Sequence, residues 1–161
     1  MSFNSDDQKR LDLLKSKMGL YPDFPKAGIN FKWVSNEFNA EIWHFYENIF
    51  CFCFRDIFTA FRDGEVCAAT RDLLINYVKK NHPSIDAIVG LDARGFLFSF
   101  SIAAELKIAC VPIRKKGKLP GETMSVEYVL EYGTDSFELQ CGSILEGQKV
   151  LIVDDLLATG G

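Results

Sequence analysis

Residues 85 to 113 read Ile85-Asp-Ala-Ile-Val-Gly-Leu91, then Asp92-Ala-Arg-Gly95, then Phe96-Leu-Phe-Ser-Phe-Ser-Ile-Ala-Ala-Glu-Leu106 and, past Lys107, Ile108-Ala-Cys-Val-Pro-Ile113. The outer runs are short and rich in β-branched residues, as buried strands are, and the middle run reads as a helix. A strand, helix, strand unit of this kind predicts an α/β fold whose central sheet is mostly parallel and flanked by helices.

Toward the C-terminus, the basic, Gly- and Pro-containing stretch Lys115 to Glu122 predicts a mobile surface loop. Two strands are expected next, Ser125 to Tyr132 and Ser136 to Gln140, with Gly133-Thr134-Asp135 as the turn between them. A last strand, Lys149 to Val153, runs straight into Asp154-Asp155. Toward the N-terminus, Ala68 to Lys80 has apolar residues at helical spacing, with Pro83 just past its end. Gln8 to Lys17 predicts a short helix that stops near Gly19, and the two prolines of Tyr21-Pro-Asp-Phe-Pro-Lys-Ala-Gly-Ile-Asn-Phe-Lys32 predict an ordered loop. No internal repeat or low-complexity tract interrupts this order.

The chain has 161 residues, the size of one domain, and the expectation is a single globular core over residues 1–161. The net charge of −4, with basic residues scattered apart from one cluster, argues against a general nucleic-acid binder. The five cysteines form no paired CxxC pattern, which argues against structural zinc and a disulfide framework. A polar, charged N-terminus and the lack of any 18-residue apolar window argue against a secretory signal and a membrane span, leaving the reducing cytoplasm as the expected compartment.

Chemistry concentrates in Val150-Leu-Ile-Val-Asp-Asp-Leu-Leu-Ala-Thr-Gly-Gly161. A strand that ends in two carboxylates suits a phosphorylated ribose, because Asp154 and Asp155 can bond the ribose hydroxyls directly or through Mg²⁺. The turn Ala158-Thr159-Gly160-Gly161 offers successive peptide N–H groups to a phosphate. Open α/β sheets bind ligands at such strand ends.

This motif resembles the signature of type I phosphoribosyltransferases, which bind phosphoribosyl pyrophosphate (PRPP). The adenine phosphoribosyltransferase family is resembled more closely, through Tyr21-Pro-Asp-Phe-Pro with Gly28-Ile-Asn-Phe, Gly90-Leu-Asp-Ala-Arg-Gly-Phe-Leu-Phe, Ile113-Arg-Lys-Lys-Gly-Lys-Leu-Pro-Gly121 and Leu130-Glu-Tyr-Gly133. The resemblance implies the type I phosphoribosyltransferase fold with an N-terminal hood, and adenine and PRPP as substrates in purine salvage. It also implies AMP and pyrophosphate as products, Mg²⁺ as cofactor, and a homodimer.

The resemblance further assigns roles. Asp92, Ala93, Arg94 and Gly95 would form the loop that holds pyrophosphate, Arg94 engaging two oxygens through its planar fork; a solvated Arg94 is the competing reading. Arg114, Lys115 and Lys118 would lead into a catalytic loop that closes over PRPP, against the alternative of a solvated charge cluster. Glu131 would exchange a proton with the purine, beside Tyr132, unless it is a surface acid at a strand end. Asp154 and Asp155 would stabilise the cationic ribose, with Mg²⁺ held directly or through water or ribose. Ile29, Asn30, Phe31 and Lys32 would line the purine pocket, although Phe31 suits a core equally and Lys32 stands where an arginine is expected.

Two departures from the family pattern stand out. Trp33 through Arg55, 23 residues rich in aromatics and ending Ile49-Phe-Cys-Phe-Cys-Phe-Arg55, separate Phe31-Lys32 from Asp56-Ile57, which the family joins directly. This divides the chain into residues 1–32 (helix and purine loop), 33–55 (insertion) and 56–161 (core). Phe and Cys codons are rich in thymine and Phe54-Arg55 can encode an internal AG, so a retained intron is one expectation and a helix from Ala40 to Phe61 in a dimer interface another. The family pattern also continues past Gly161 with Thr or Ser, a helix and a strand. Both departures make a catalytically impaired splice-variant product, retaining nucleotide binding or an interaction role, the alternative to an active transferase.

Overall fold

The computed structural model describes residues 4–21, 54–130 and 133–155. It contains two compact units, Met1–Leu73 and Leu74–Gly161.

In the first unit, helix α1 (Ser5–Lys17) starts where Asn4 accepts the Asp7 amide at 2.7 Å, and the Asn4 side-chain amide donates to the Asp7 carboxylate at 2.9 Å. This reciprocal cap fills helix-end donors that would otherwise be orphaned and satisfies the buried Asp7, which Arg10 also meets at 3.0 Å. Strands β1 (Gly19–Tyr21) and β2 (Phe54–Asp56) pair antiparallel, and β2 leads into the single-turn helix α2 (Ile57–Ala60). Phe54–Asp56 is therefore extended, which corrects the expectation of a helix running to Phe61; these three residues pair with β1 instead, and residues 40–53 of that expected helix lie outside the described residues. Leu11, Leu14, Met18, Ile57, Ala60, Val66, Ala69 and Leu73 are buried in this unit. Helix α3 (Gly64–Asn81) runs across the division between the units.

The second unit is built on a five-stranded sheet. Its strands are β3 (Ala87–Leu91), β4 (Ala109–Lys115), β5 (Thr123–Leu130), β6 (Gly133–Gln140) and β7 (Val150–Val153), in the order β5-β6-β4-β3-β7. Helix α4 (Gly95–Leu106) connects β3 to β4 and packs on β3, β4 and β7. The predicted strand, helix, strand unit is thus present, with β4, β3 and β7 parallel. β6 and β5 extend the sheet in antiparallel pairing. Alternation buries β3 on both faces: Ala87 and Val89 pack with Val111, Ile113 and Ile144, while Gly90 faces Ser99 of α4. At the opposite end of the ladder, Asp86 and Lys149 clamp β3 to β7, the Asp86 amide donating to the Lys149 carbonyl at 2.8 Å and the Lys149 amide to the Asp86 carboxylate at 2.7 Å.

One expectation is corrected here. Leu130 pairs directly with Gly133, so Gly133-Thr134-Asp135 belong to β6 rather than to a turn; a ladder partner at each position outweighs the turn tendency of glycine. The segment after β4 is the expected surface loop, and its backbone is tied to neighbouring strands. The Lys116 amide donates to the Ser136 carbonyl (3.1 Å), the Lys118 and Leu119 amides to Glu138 (2.9 Å each), Gln140 to the Pro120 carbonyl (3.0 Å) and the Cys141 amide to the Glu122 carbonyl (2.9 Å).

Two glycines at or beside α4 are closely packed. A Cβ on Gly95 would sit 2.5 Å from the Val153 carbonyl oxygen, and one on Gly90 would run into the Ser99 hydroxyl. Gly95→Ala is expected to destabilise the chain by about 1–3 kcal/mol in any background, because the obstacle is main chain. Gly90→Ala is expected to be partly relieved by Ser99→Gly, because its nearest obstacle is a side chain and only the Gly95 carbonyl oxygen, at 3.1 Å, then remains close. Urea denaturation of the single and double variants checks both outcomes.

Candidate active site

The close approach of Gly95 to Val153 brings the turn after β3 against the end of β7. Asp154 and Asp155 follow Val153, and Arg94 precedes Gly95, so both meet at the carboxyl ends of parallel strands. Arg94 Nε lies 2.9 Å from Asp155 Oδ1, while the Asp155 side chain is only 7% exposed. The contact lacks the alignment of a hydrogen bond, so that buried oxygen keeps an open lone pair. The Asp155 amide donates to Asp154 Oδ1 at 2.9 Å, and the Gly95 amide also bonds the Asp154 carboxylate. Asp154 therefore sits at the N-terminus of α4, where the helix dipole favours an anion.

Two adjacent carboxylates removed from water resist ionisation together. Burial pushes the Asp155 carboxyl up from an ordinary 3.8 to about 6, opposed by Arg94 and reinforced by Asp154. Burial raises Asp154 as well, against the peptide N–H bonds it accepts. The pair is therefore short of positive charge. Among the described residues no group of three His, Cys, Asp or Glu side chains converges on a metal position. Two carboxylates with an open, buried lone pair nevertheless suit a hard cation such as Mg²⁺, which takes one or two carboxylates and completes its shell with water and phosphate oxygens.

A second cluster adjoins the first through the backbone of residues 92–95. Arg114 Nε donates to Asp92 Oδ2 at 3.0 Å and Arg114 Nη1 to the Lys118 carbonyl at 3.2 Å. Lys115 is directed elsewhere. Consecutive strand residues point to opposite faces, and Lys115 pairs with Asp135 at 2.8 Å on the face that also carries the stacked Tyr128 and Phe137. That pairing raises the Lys115 ammonium and lowers the Asp135 carboxyl, each chiefly through their mutual hydrogen bond.

The sequence-predicted residues thus divide three ways. Asp92, Ala93, Arg94, Gly95, Arg114, Lys118, Asp154 and Asp155 gather around the ends of β3, β4 and β7, and Lys115 does not join them. Ile29, Asn30, Phe31, Lys32, Glu131, Tyr132, Ala158, Thr159, Gly160 and Gly161 lie outside the described residues. Sequence reading missed Glu138, whose place between two hydrophobic residues of a strand gave no signal of the loop it holds.

A phosphoribosyl transferase domain model matches residues 61–161. The adenine phosphoribosyltransferase of Drosophila pseudoobscura pseudoobscura is 51% identical over 154 residues, covering 96% of this chain and 72% of that protein. The chain belongs to the adenine phosphoribosyltransferase family. A further relative of that name, from Clostridium botulinum, is 45% identical over 92% of this chain and 72% of its own length. The crystal structure of the Saccharomyces cerevisiae enzyme, complexed with D-2,5-dideoxy-2,5-imino-altritol 1,6-bisphosphate and adenine, superposes with a TM-score of 0.75 at 36% identity. It covers 96% of this chain and 76% of the yeast chain. The family's fold, the type I phosphoribosyltransferase fold, agrees with the sheet and helices described above.

The raised Asp155 carboxyl has a measurable consequence. The group is protonated in folded and unfolded chains below about pH 4, so its burial is without penalty there. Above about pH 6 it is ionised in both, and the stability it contributed as a neutral acid is lost as pH rises through that window. Asp155→Asn is expected to match the parent's thermal midpoint near pH 4 and to exceed it by roughly 2–4 °C above pH 6, allowing for water at the open side of the cluster. Thermal denaturation at pH 4, 5, 6 and 7.5 tests this.

Proposed function

We propose that this chain transfers the phosphoribosyl group of PRPP to adenine, forming AMP and releasing pyrophosphate. The observation that carries this reading is the Arg94–Asp155 pair beside Asp154, held at the carboxyl ends of β3 and β7 in a chain 51% identical to a named adenine phosphoribosyltransferase. Displacement at the anomeric carbon makes the ribose cationic while negative charge collects on pyrophosphate. Asp154 and Asp155 provide fixed negative charge for the first, and developing positive charge favours their ionised forms. Arg94 and Arg114 provide donors for the second.

Mg²⁺, when bound, neutralises phosphate charge, and Asp154 and Asp155 are the residues that would hold it, directly or through water or ribose. The remaining assignments rest on resemblance to the family: Glu131 as the group exchanging a proton with the base, Tyr132 beside it, Ile29 to Lys32 against the purine, and Ala158 to Gly161 around the 5′-phosphate. Lys118 stays in the pyrophosphate set, whereas the position of Lys115 favours a cross-strand role. Nothing in the described residues favours the impaired splice-variant product over an active enzyme. Residues 33–55 are proposed as an insertion in the purine loop of a single phosphoribosyltransferase domain.

A homodimer is proposed on the exposed Leu97 and Phe100, one turn apart on α4, which form an apolar patch suited to a second copy. The exposed free thiols of Cys67, Cys110 and Cys141 suit the reducing cytoplasm. No described helix is long and apolar enough to cross a membrane.

Incubation of the pure chain with labelled adenine, PRPP and Mg²⁺ is expected to give AMP, whereas hypoxanthine and guanine give no nucleotide. Arg94→Gln is expected to lower turnover roughly 10²-fold, as loss of one preorganised donor does. Glu131→Ala and Asp155→Asn are expected to abolish most of the remainder. Absence of AMP from the parent chain would refute the reading. Phe100→Glu is expected to shift the species seen by sedimentation from dimer to monomer; a parent chain that sediments as a monomer removes the dimer from the proposal.

A further inference from the structure

The segment that follows β4 is basic, with Lys115, Lys116 and Lys118, yet it wraps around an acid. Glu138 of β6 stands directly across the ladder from Arg114 of β4, so the two residues rise from the same face. One Glu138 carboxylate oxygen accepts the Lys118 and Leu119 amides at 2.9 Å each, and the other lies 3.4 Å from the Thr123 hydroxyl. Only 4% of the residue is exposed. Burying an ionised carboxylate is expensive unless its lone pairs are filled, and here peptide N–H groups fill them. The Leu119 amide does most to hold the Glu138 carboxyl below the usual range, opposing burial, with the Gly117 and Lys118 amides and the Thr123 hydroxyl adding to it.

The choice of donor matters. An ammonium group could have neutralised Glu138, but main-chain amides do so instead. Among the described residues the Lys116 and Lys118 ammonium groups take part in no ion pair, so their charge remains available to another anion. The other end of Lys118 extends the connection. Its carbonyl accepts from Arg114 Nη1 at 3.2 Å, and Arg114 Nε reaches Asp92 at 3.0 Å, two residues before Arg94. One continuous path therefore runs from Glu138 through the Lys118 backbone and the Arg114 guanidinium to the turn that carries Arg94.

We propose that Glu138 is a positioning residue of the transferase reaction: by anchoring the Lys118 and Leu119 amides it fixes the root of the basic segment and thereby aims Arg114 and Lys118 at the pyrophosphate of PRPP. The proposal rests on the transferase reading, which assigns that turn and that segment to pyrophosphate. Glu138 itself touches no substrate. Its effect is transmitted by main chain and by Arg114, so it should act on PRPP and leave adenine alone.

Two variants separate this role from simple stabilisation. Glu138→Ala removes the acceptor, while Glu138→Gln keeps a carbonyl oxygen for the two amides without the charge. Hydrogen exchange of the Lys118 and Leu119 amides, read on the unliganded chain, is expected to accelerate about 10-fold or more in Glu138→Ala and by less in Glu138→Gln. Steady-state kinetics are expected to show KM for PRPP raised about 10-fold in Glu138→Ala, with KM for adenine within about twofold of the parent and partial recovery in Glu138→Gln. Unchanged exchange at the two amides overturns the anchor. Faster exchange with an unchanged KM for PRPP, or equal increases in both KM values, overturns the positioning role. Should Glu138→Ala fail to fold, Glu138→Gln decides alone: a selective rise of about threefold in KM for PRPP supports the proposal, and equal values overturn it. A parent chain that forms no AMP removes the transferase reading and this role with it, while altered exchange would still identify Glu138 as the anchor of the segment.

Discussion

The candidate site depends on one steric constraint, the close approach of the first residue of α4 to the last carbonyl of β7. Two polypeptide backbones come this near only where a side chain is missing, and Gly95 supplies the gap. That approach places the first of the two charged clusters. It sets Arg94 beside Asp155, lets the Gly95 amide reach Asp154, and stations both carboxylates at a helix N-terminus. The parallel ladder of β3 and β7, clamped at its far end by Asp86 and Lys149, keeps the approach in register.

Two buried acids in this unit are managed in opposite ways. Glu138 receives peptide N–H groups and stays ionised easily, as suits a fixed structural anion. Asp155 receives one poorly aligned arginine and a neighbouring carboxylate, and it resists ionisation. Under-satisfaction of this kind marks a place where a ligand supplies what the protein withholds. A cationic ribose and a hard metal ion are both of the required sign.

The strand, helix, strand core was legible in the sequence because β-branched runs and a proline-free helix between them leave few alternatives, and β3, α4 and β4 fall where the residues predict. Asp92, Arg94 and the Asp154-Asp155 pair were legible because their motifs combine charge with glycine at fixed positions. What could not be read was pairing across the sheet. The ladder alone makes Gly133 a strand residue opposite Leu130, turns Lys115 toward Asp135, and sets Glu138 beneath residues 20 positions earlier. Composition likewise gave the surface loop after β4 but not its anchor, since glycine, proline and lysine carry no mark of the acid that collects their backbone.

The two tightly packed glycines also differ in what can relieve them. Gly90 is confined mainly by the side chain of Ser99, a neighbour that can itself change, with the Gly95 carbonyl oxygen a looser limit at 3.1 Å. Gly95 is confined by a carbonyl that every amino acid carries, and no change elsewhere in the sequence can shrink it. The first contact can thus be relieved by a change in its partner, while the second can be relieved only by moving the main chain.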